Sequence, residues 1–472
     1  MGERELPKVL LLCSFNQSTA NGITVRNLFK GWPSERIGVI EFGGSIGQVF
    51  VNGVSEYYLL GDDEVRFSWP LSLMRRVGPT QSYSDDSRPE VDMRRAESSA
   101  IGVRRTIRNW GVGFRQWWLR KTGLSLVSRR YRVSRRLEAW IRRFQPDIVY
   151  YVGSDICKLD FVQDLKNRLS KPFAIHVFDD YVNTKHLDTW FPGFWKRRMD
   201  GAFRSVVGLA DLHLAIGQKM AVEYSRTYGK EFFGFHNPID PDIWMSRDGA
   251  CRGAIGDGNS VEESKRSRYS HERIGRDVRR DETMNFRFVY AGKINQDTKE
   301  PILQFVDAIT ALEREGYCVE FRVYSPYPEQ DVIRLLGKRA EDIFMGRVPY
   351  RDLPEVFRSA DALLLPLGFS ERTLRYIRLS MLTKVSEYMI SNTPIFLFAP
   401  GGIAVSEYLV REDAAFHCSD PDRLQECLRL FLERAKERGR FAENAFRCAY
   451  EQHLMANVNA RFRKLFRSLC SD

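Results

Sequence analysis

No apolar run in this chain approaches the roughly 18 residues that a membrane-spanning helix needs, which excludes such a helix. The N-terminal stretch Met-Gly-Glu-Arg-Glu-Leu-Pro lacks the apolar core of a signal peptide, so the expected compartment is the cytoplasm. Cysteine is sparse and scattered. The eight residues (Cys13, Cys157, Cys251, Cys318, Cys418, Cys427, Cys448 and Cys470) form no Cys-x-x-Cys pair and have no histidine at zinc-ligand spacing. They are expected to be reduced and buried singly. His417-Cys418 is an adjacent pair, but two ligands do not make a metal site.

What is present points to more than one core. With 472 residues, 43% of them apolar, the chain should divide into two or three domains. The net charge of +11 and the isoelectric point near 9.2 are unevenly distributed. Residues 94–143 carry Arg-Arg and Arg-Arg-Tyr-Arg clusters interleaved with Trp110, Phe114, Trp117, Trp118 and Trp140. Rings at the headgroup level and cations on lipid phosphates would suit an anionic membrane surface. A solvated helical face around an ordinary core explains the same pattern. Basic charge confined to one aromatic segment argues for lipid headgroups over nucleic acid.

Short apolar runs ending in polar loops recur along the chain, with helical segments between most of them. The first half has Lys8-Val9-Leu10-Leu11-Leu12, Gly38 to Phe42, Asp147 to Val152, Phe173 to Val177 and Asp211 to Ile216. Residues 247–285 then hold hardly an apolar anchor, as in a linker or surface insertion. A second series starts at Phe286-Arg287-Phe288-Val289-Tyr290-Ala291-Gly292, followed by an amphipathic helix from Pro301 to Glu315. It continues with runs at Cys318 to Tyr324, Ile343 to Gly346, Asp361 to Pro366 and Ile395 to Phe398. The economical solution is α/β: two doubly wound, Rossmann-like domains with parallel sheets, whose strand C-termini face a cleft. The expected division is 1–245, a linker or insertion over 246–285, a second α/β domain over 286–440, and a helical segment over 441–472 crossing back to the first domain.

Three segments of the second half carry candidate chemistry. Ser380-Met-Leu-Thr-Lys-Val-Ser-Glu-Tyr388 reads as a helix that Ser380 caps, whose free amides would seat an anion. Lys384 and Glu387 would share its face, a cation and a carboxylate suited to a diphosphate and a ribose diol. The loop Gly292-Lys293-Ile-Asn-Gln-Asp-Thr-Lys299 places two lysines six apart, suited to charge on a departing diphosphate. Gly346-Arg347-Val348-Pro349-Tyr350 offers backbone groups for a base edge and a ring or proline for its face.

On these residues the second half resembles the donor domain of retaining GT-B glycosyltransferases of the family 4 type, which includes bacterial polysaccharide and lipid sugar transferases. The matching positions are Ala291-Gly292-Lys293 with Lys299, Gly346 to Pro349, Ala360 to Pro366, Lys384 to Tyr388, and Asn392 to Ile395. The resemblance implies hexosyl transfer with retention from a nucleoside diphosphate sugar to a glycan or lipid-linked acceptor in cell-surface polysaccharide synthesis. That sugar nucleotide is a co-substrate, and neither a cofactor nor a metal is implied. Lys293 and Lys299 would face the diphosphate, Gly292, Ser380, Thr383 and Lys384 would line it, Arg347 and Val348 would meet the base, and Glu387 would hold the ribose. In the first half, Gly22 within Asn21-Gly22-Ile23 resembles the loop nearing the donor phosphate, and His176 with Asp179 the segment over the sugar.

One departure stands out. Many members carry an acid eight residues before the ribose Glu, where this chain has Leu379. Glu371 or Arg375 would then supply the donor-sugar contact. A catalytically inactive scaffold and a sugar-nucleotide epimerase of the same fold remain as alternatives. A peripheral place on the inner face of the cell membrane is the expectation from residues 94–143.

Overall fold

The structure is a computed structural model that describes residues 5–15, 19–42, 54–68, 77–84, 113, 116–153, 155–245, 286–326 and 330–470. The expected linker over 246–285, and Trp110 and Phe114 of the basic segment, lie outside the described residues. The chain forms two compact units, one of Met1–Phe235 with Asn459–Asp472 and one of His236–Val458.

In unit 1 the strands are β1 (Val9–Leu12), β2 (Ile37–Glu41), β3 (Glu56–Leu59), β4 (Val65–Phe67), β5 (Gln81–Ser84), β6 (Arg129–Tyr131), β7 (Ile148–Val152), β8 (Phe173–Val177), β9 (Leu212–Ala215) and β10 (Phe232–Gly234). Eight of them form one sheet in the order β10-β9-β8-β7-β1-β2-β3-β5, and β4 pairs with β6. Every pairing from β10 to β3 is parallel, and only the edge strand β5 runs antiparallel. Strands β1, β2 and β8 are buried along their whole length, as expected of a parallel sheet covered on both faces. Residues from Asn459 onward join this unit through Phe462 and Phe466, both fully buried, whose rings meet Phe29 at 5.2 and 5.9 Å.

Unit 2 continues with β11 (Phe286–Ala291), β12 (Val319–Tyr324), β13 (Phe344–Gly346), β14 (Ala362–Pro366), β15 (Ile395–Phe398) and β16 (Phe416–Cys418). Its sheet order is β13-β12-β11-β14-β15-β16, parallel throughout. Alternation at period two sorts the strand residues into two cores. Val289, Leu363, Leu365, Ile395 and Leu397 face one, while Phe288, Tyr290, Leu364, Phe396 and Phe398 face the other. The helix Lys299–Arg314 buries Ile302, Phe305, Val306, Ile309 and Leu312, a stripe at helical spacing, against the second of these. Arg438, 2% exposed, donates to the Leu432 carbonyl at 2.7 Å, so its charge is held inside the core by a backbone acceptor.

Two expectations need correction here. The free cysteines are not all buried: Cys318 and Cys427 are half-buried and Cys470 is exposed. Trp140 is 5% exposed and packs against Tyr58 and Phe144, because the helix Arg135–Phe144 turns its apolar face inward. It therefore belongs to the core, whereas Trp117 and Trp118 are exposed.

Candidate functional site

Strand order reverses in unit 2 between β11 and β14, and in open parallel sheets ligands bind outside the strand C-termini at such a point. Two loops meet there. Gly292 to Thr298 follows β11, Leu367 to Phe369 follows β14, and the Gly368 amide donates to the Asp297 carbonyl at 2.7 Å. Burial pushes the Asp297 carboxyl upward, while Arg372 draws it back down.

The helix Thr383–Ile390 supplies the side chains that converge on this edge. Lys384 Nζ donates to the Ala291 carbonyl and to Tyr290 Oη, both at 3.2 Å, and lies 4.3 Å from the centre of the Tyr290 ring. Tyr290 Oη in turn donates to the Lys293 carbonyl at 2.7 Å. This relay fixes the start of the loop that presents Lys293, whose side chain is exposed. Gly292 is required at its place. Its φ is +151°, and a Cβ there would lie 2.5 Å from Lys384 Nζ. From the same helix, Tyr388 Oη accepts from the Ala291 amide at 3.2 Å.

One turn after Lys384, Glu387 is 6% exposed and accepts a hydrogen bond from Tyr350 Oη at 2.8 Å. Burial raises its carboxyl to about 7, against the opposing pull of the Tyr350 hydrogen bond and the Lys384 charge. Once ionised, this buried carboxylate offers acceptor oxygens suited to the two hydroxyls of a diol.

Other candidates fall differently. Ser380 does not cap this helix. Its hydroxyl donates back to the Tyr376 carbonyl at 3.2 Å, at the end of the helix Glu371–Ile377, and the extended N-cap of the next helix is Leu382. Thr383 opens that helix and is half-buried. Lys299 pairs with Asp331 at the start of its own helix. Arg347 is exposed and Val348 half-buried in the loop after β13. Glu371 and Arg375 pair with each other at 3.3 Å on an exposed helix face. Leu379 is 1% exposed, so no polar group reaches out from that position.

In unit 1, Gly22 lies within the first turn of the helix Ala20–Leu28 rather than in a loop, its amide donating to the Thr19 hydroxyl cap at 3.1 Å. His176 is fully buried, with Nδ1 2.7 Å from Tyr150 Oη, and burial lowers it to about 3. As placed it is a neutral core imidazole. Asp179, half-buried, follows β8, and the neighbouring Asp180 accepts from Asn183 Nδ2 and Tyr224 Oη at 2.8 and 2.7 Å. A buried acid that sequence reasoning passed over, Glu41 at the C-terminal end of β2, accepts from Ser14 Oγ at 3.0 Å and Tyr57 Oη at 2.5 Å. Tyr350 was likewise passed over as a partner of Glu387. Its sequence signal is no more than being an aromatic residue in the loop after β13, 37 residues before Glu387.

Residues 285–434 match the family described as Glycosyl transferases group 1. No curated protein matches the chain in sequence. Among solved structures, sucrose-phosphate synthase from Thermosynechococcus elongatus superposes with a TM-score of 0.57 at 10% identity, covering 98% of this chain and 99% of that one. Trehalose 6-phosphate synthase from Burkholderia multivorans reaches 0.54 at 11% identity, covering 99% of both chains. Anabaena HepE in complex with UDP-glucose reaches 0.52 at 12% identity, covering 98% of this chain and 99% of that one. At such identities the likeness is one of fold, and the fold is GT-B. The chain thus has the GT-B architecture, and its second unit holds a segment similar to the glycosyl transferases of group 1.

Proposed function

We propose that this protein is a glycosyltransferase that moves a hexosyl unit, with retention, from a nucleoside diphosphate donor to a glycan or lipid-linked acceptor in cell-surface polysaccharide synthesis. The observation that carries the proposal is that one helix, at the strand reversal of unit 2 and inside the matched segment, brings Lys384, bonded to the Ala291 carbonyl, and a buried, Tyr350-bonded Glu387 to the same edge. Similar structures were solved with UDP and UDP-glucose, which makes UDP the first nucleotide to try.

In this reading Glu387 accepts from the ribose hydroxyls, and the loop of Arg347 and Val348 meets the base. Lys293 and the first-turn amides of the helix Thr383–Ile390 face the diphosphate, where they offset the negative charge that grows as it departs. Lys299 joins them on exchanging Asp331 for phosphate. The bond between the anomeric carbon and the β-phosphate oxygen breaks, the acceptor oxygen takes its place, and the hydroxyl proton leaves with the nucleotide or to solvent. The donor is a co-substrate, and no resident cofactor takes part. The place of action is the cytoplasm, at the inner face of the cell membrane. Among the described residues no helix is long and apolar enough to cross a membrane.

The buried Leu379 favours a second reading, nucleotide binding without transfer. Mass spectrometry of products from a panel of nucleoside diphosphate sugars, with cell membranes as acceptor, separates the two. A donor-dependent mass gain supports transfer, and bound but unconsumed donor across the panel supports the scaffold.

A further inference from the structure

Every exposed tryptophan and phenylalanine among the described residues belongs to two segments of unit 1: Trp117, Trp118, Trp190, Phe191 and Phe194, between 38% and 62% exposed. Single exposed apolar side chains are ordinary, but clustered aromatic rings mark an interaction surface. These segments, some 70 residues apart in the chain, are fastened together. The Trp190 amide donates to the Lys121 carbonyl at 2.6 Å, and Trp195 Nε1 donates to the Thr122 carbonyl at 2.9 Å. Gly123, at φ +77°, makes room for the Trp195 ring, since a Cβ there would lie 2.0 Å from Trp195 Nε1. The rings of Trp117 and Trp190 then meet edge to face at 5.9 Å, and Phe194 meets the buried Trp195 at 5.1 Å. The fold therefore holds this aromatic surface in a set shape while leaving it open to solvent.

Charge says what the surface fits. Lys185, Lys196, Arg197 and Arg198 are exposed along the same segment. The one acid within residues 185–198, Asp188, is taken by an ion pair with Arg120. A second copy of this chain would bring cations against cations. We propose that this patch docks on an anionic lipid bilayer, with the tryptophan and phenylalanine rings at headgroup depth and the Lys196 and Arg197 cations on lipid phosphates. The surface would account for the peripheral location proposed above, yet it stands independently of the donor site.

Flotation of the full chain with phosphatidylcholine vesicles, with and without phosphatidylglycerol, tests the proposal. The wild type is expected to float only with the anionic vesicles and to detach in high salt. Phe191→Ser/Phe194→Ser and Lys196→Glu/Arg197→Glu should each lower the bound fraction about tenfold while keeping the wild-type affinity for UDP. A wild type that stays in solution, or both variants floating like it, overturns the proposal. So does a change in oligomeric state in the variants with flotation intact, which would assign the patch to a second copy. UDP binding in the same samples reports separately on the donor site, so failure of one reading is distinguishable from failure of the other.

Discussion

Tyr350 Oη donates to Glu387 Oε1 across 2.8 Å, joining the loop after β13 to the helix that carries Lys384. The bond favours the charged carboxylate and so works against the burial that raises Glu387 to about 7. Tyr350→Phe removes it without changing the ring. UDP affinity is expected to fall about tenfold at neutral pH, roughly 1.4 kcal/mol, and by less near pH 8.5, where the carboxyl ionises without help. Calorimetry at both pH values checks this, and an equal loss at both would count against the role in setting protonation.

Glu387 also links the site to stability. Its folded value of about 7 lies above the value for an unfolded glutamate, so between these limits the native state binds the extra proton. Stability from this group is present at low pH and is lost as pH rises through about 7. The shift corresponds to roughly 3 kcal/mol. Glu387→Gln, which keeps an acceptor for Tyr350, is expected to stabilise unit 2 by about that amount at pH 8 and by almost nothing at pH 4. Urea unfolding at the two pH values reads the difference; a destabilised variant at pH 8 contradicts it.

His176 acts with the opposite sign. Burial lowers it to about 3, so below the unfolded value of 6.5 the unfolded chain binds a proton that the native state refuses. Stability is lost as pH falls, by about 2 kcal/mol at pH 5. Burial shifts His186, His213 and His453 in the same direction. Because Glu387 works the other way over the same range, the test is the difference: between pH 7 and pH 5 the melting temperature of His176→Gln, which takes up no proton, should change in the stabilising direction relative to that of the wild type. An identical pH dependence in the variant would remove His176 from this account.

Gly292→Ala places a Cβ 2.5 Å from Lys384 Nζ at a backbone angle that disfavours any side chain. Lys384 must move, and UDP affinity is expected to fall about tenfold or more while the far-ultraviolet dichroism is retained. Full affinity in a folded variant would show that the position of Lys384 does not matter to the nucleotide.

The central strands could be read in the sequence because both faces of a parallel sheet are covered. Val9–Leu12, Ala362–Pro366 and Ile395–Phe398 are therefore almost continuous apolar runs. Strands such as β5, Gln-Ser-Tyr-Ser, have no such run and take their place from pairing with β3. Ser380 misleads because a hydroxyl before Met381-Leu382 looks like a cap, while its oxygen serves the carbonyl of the preceding turn. Lys384 and Glu387 share a helix, so their proximity could be read from spacing. The partners that tune them could not, since Tyr350 is 37 residues from Glu387 and Tyr290 is 94 from Lys384. Lys299 and Asp331 met by the same kind of distant contact.

Isothermal titration of UDP into the wild type, Glu387→Ala and Lys293→Ala tests the central claim most directly, that unit 2 holds a nucleoside diphosphate through Glu387 and the loop after β11. Saturable binding by the wild type is expected, with affinity reduced tenfold or more in Glu387→Ala, about 1.4 kcal/mol or above, and weakened in Lys293→Ala. Unchanged affinity in both variants, or no binding by the wild type, would contradict it.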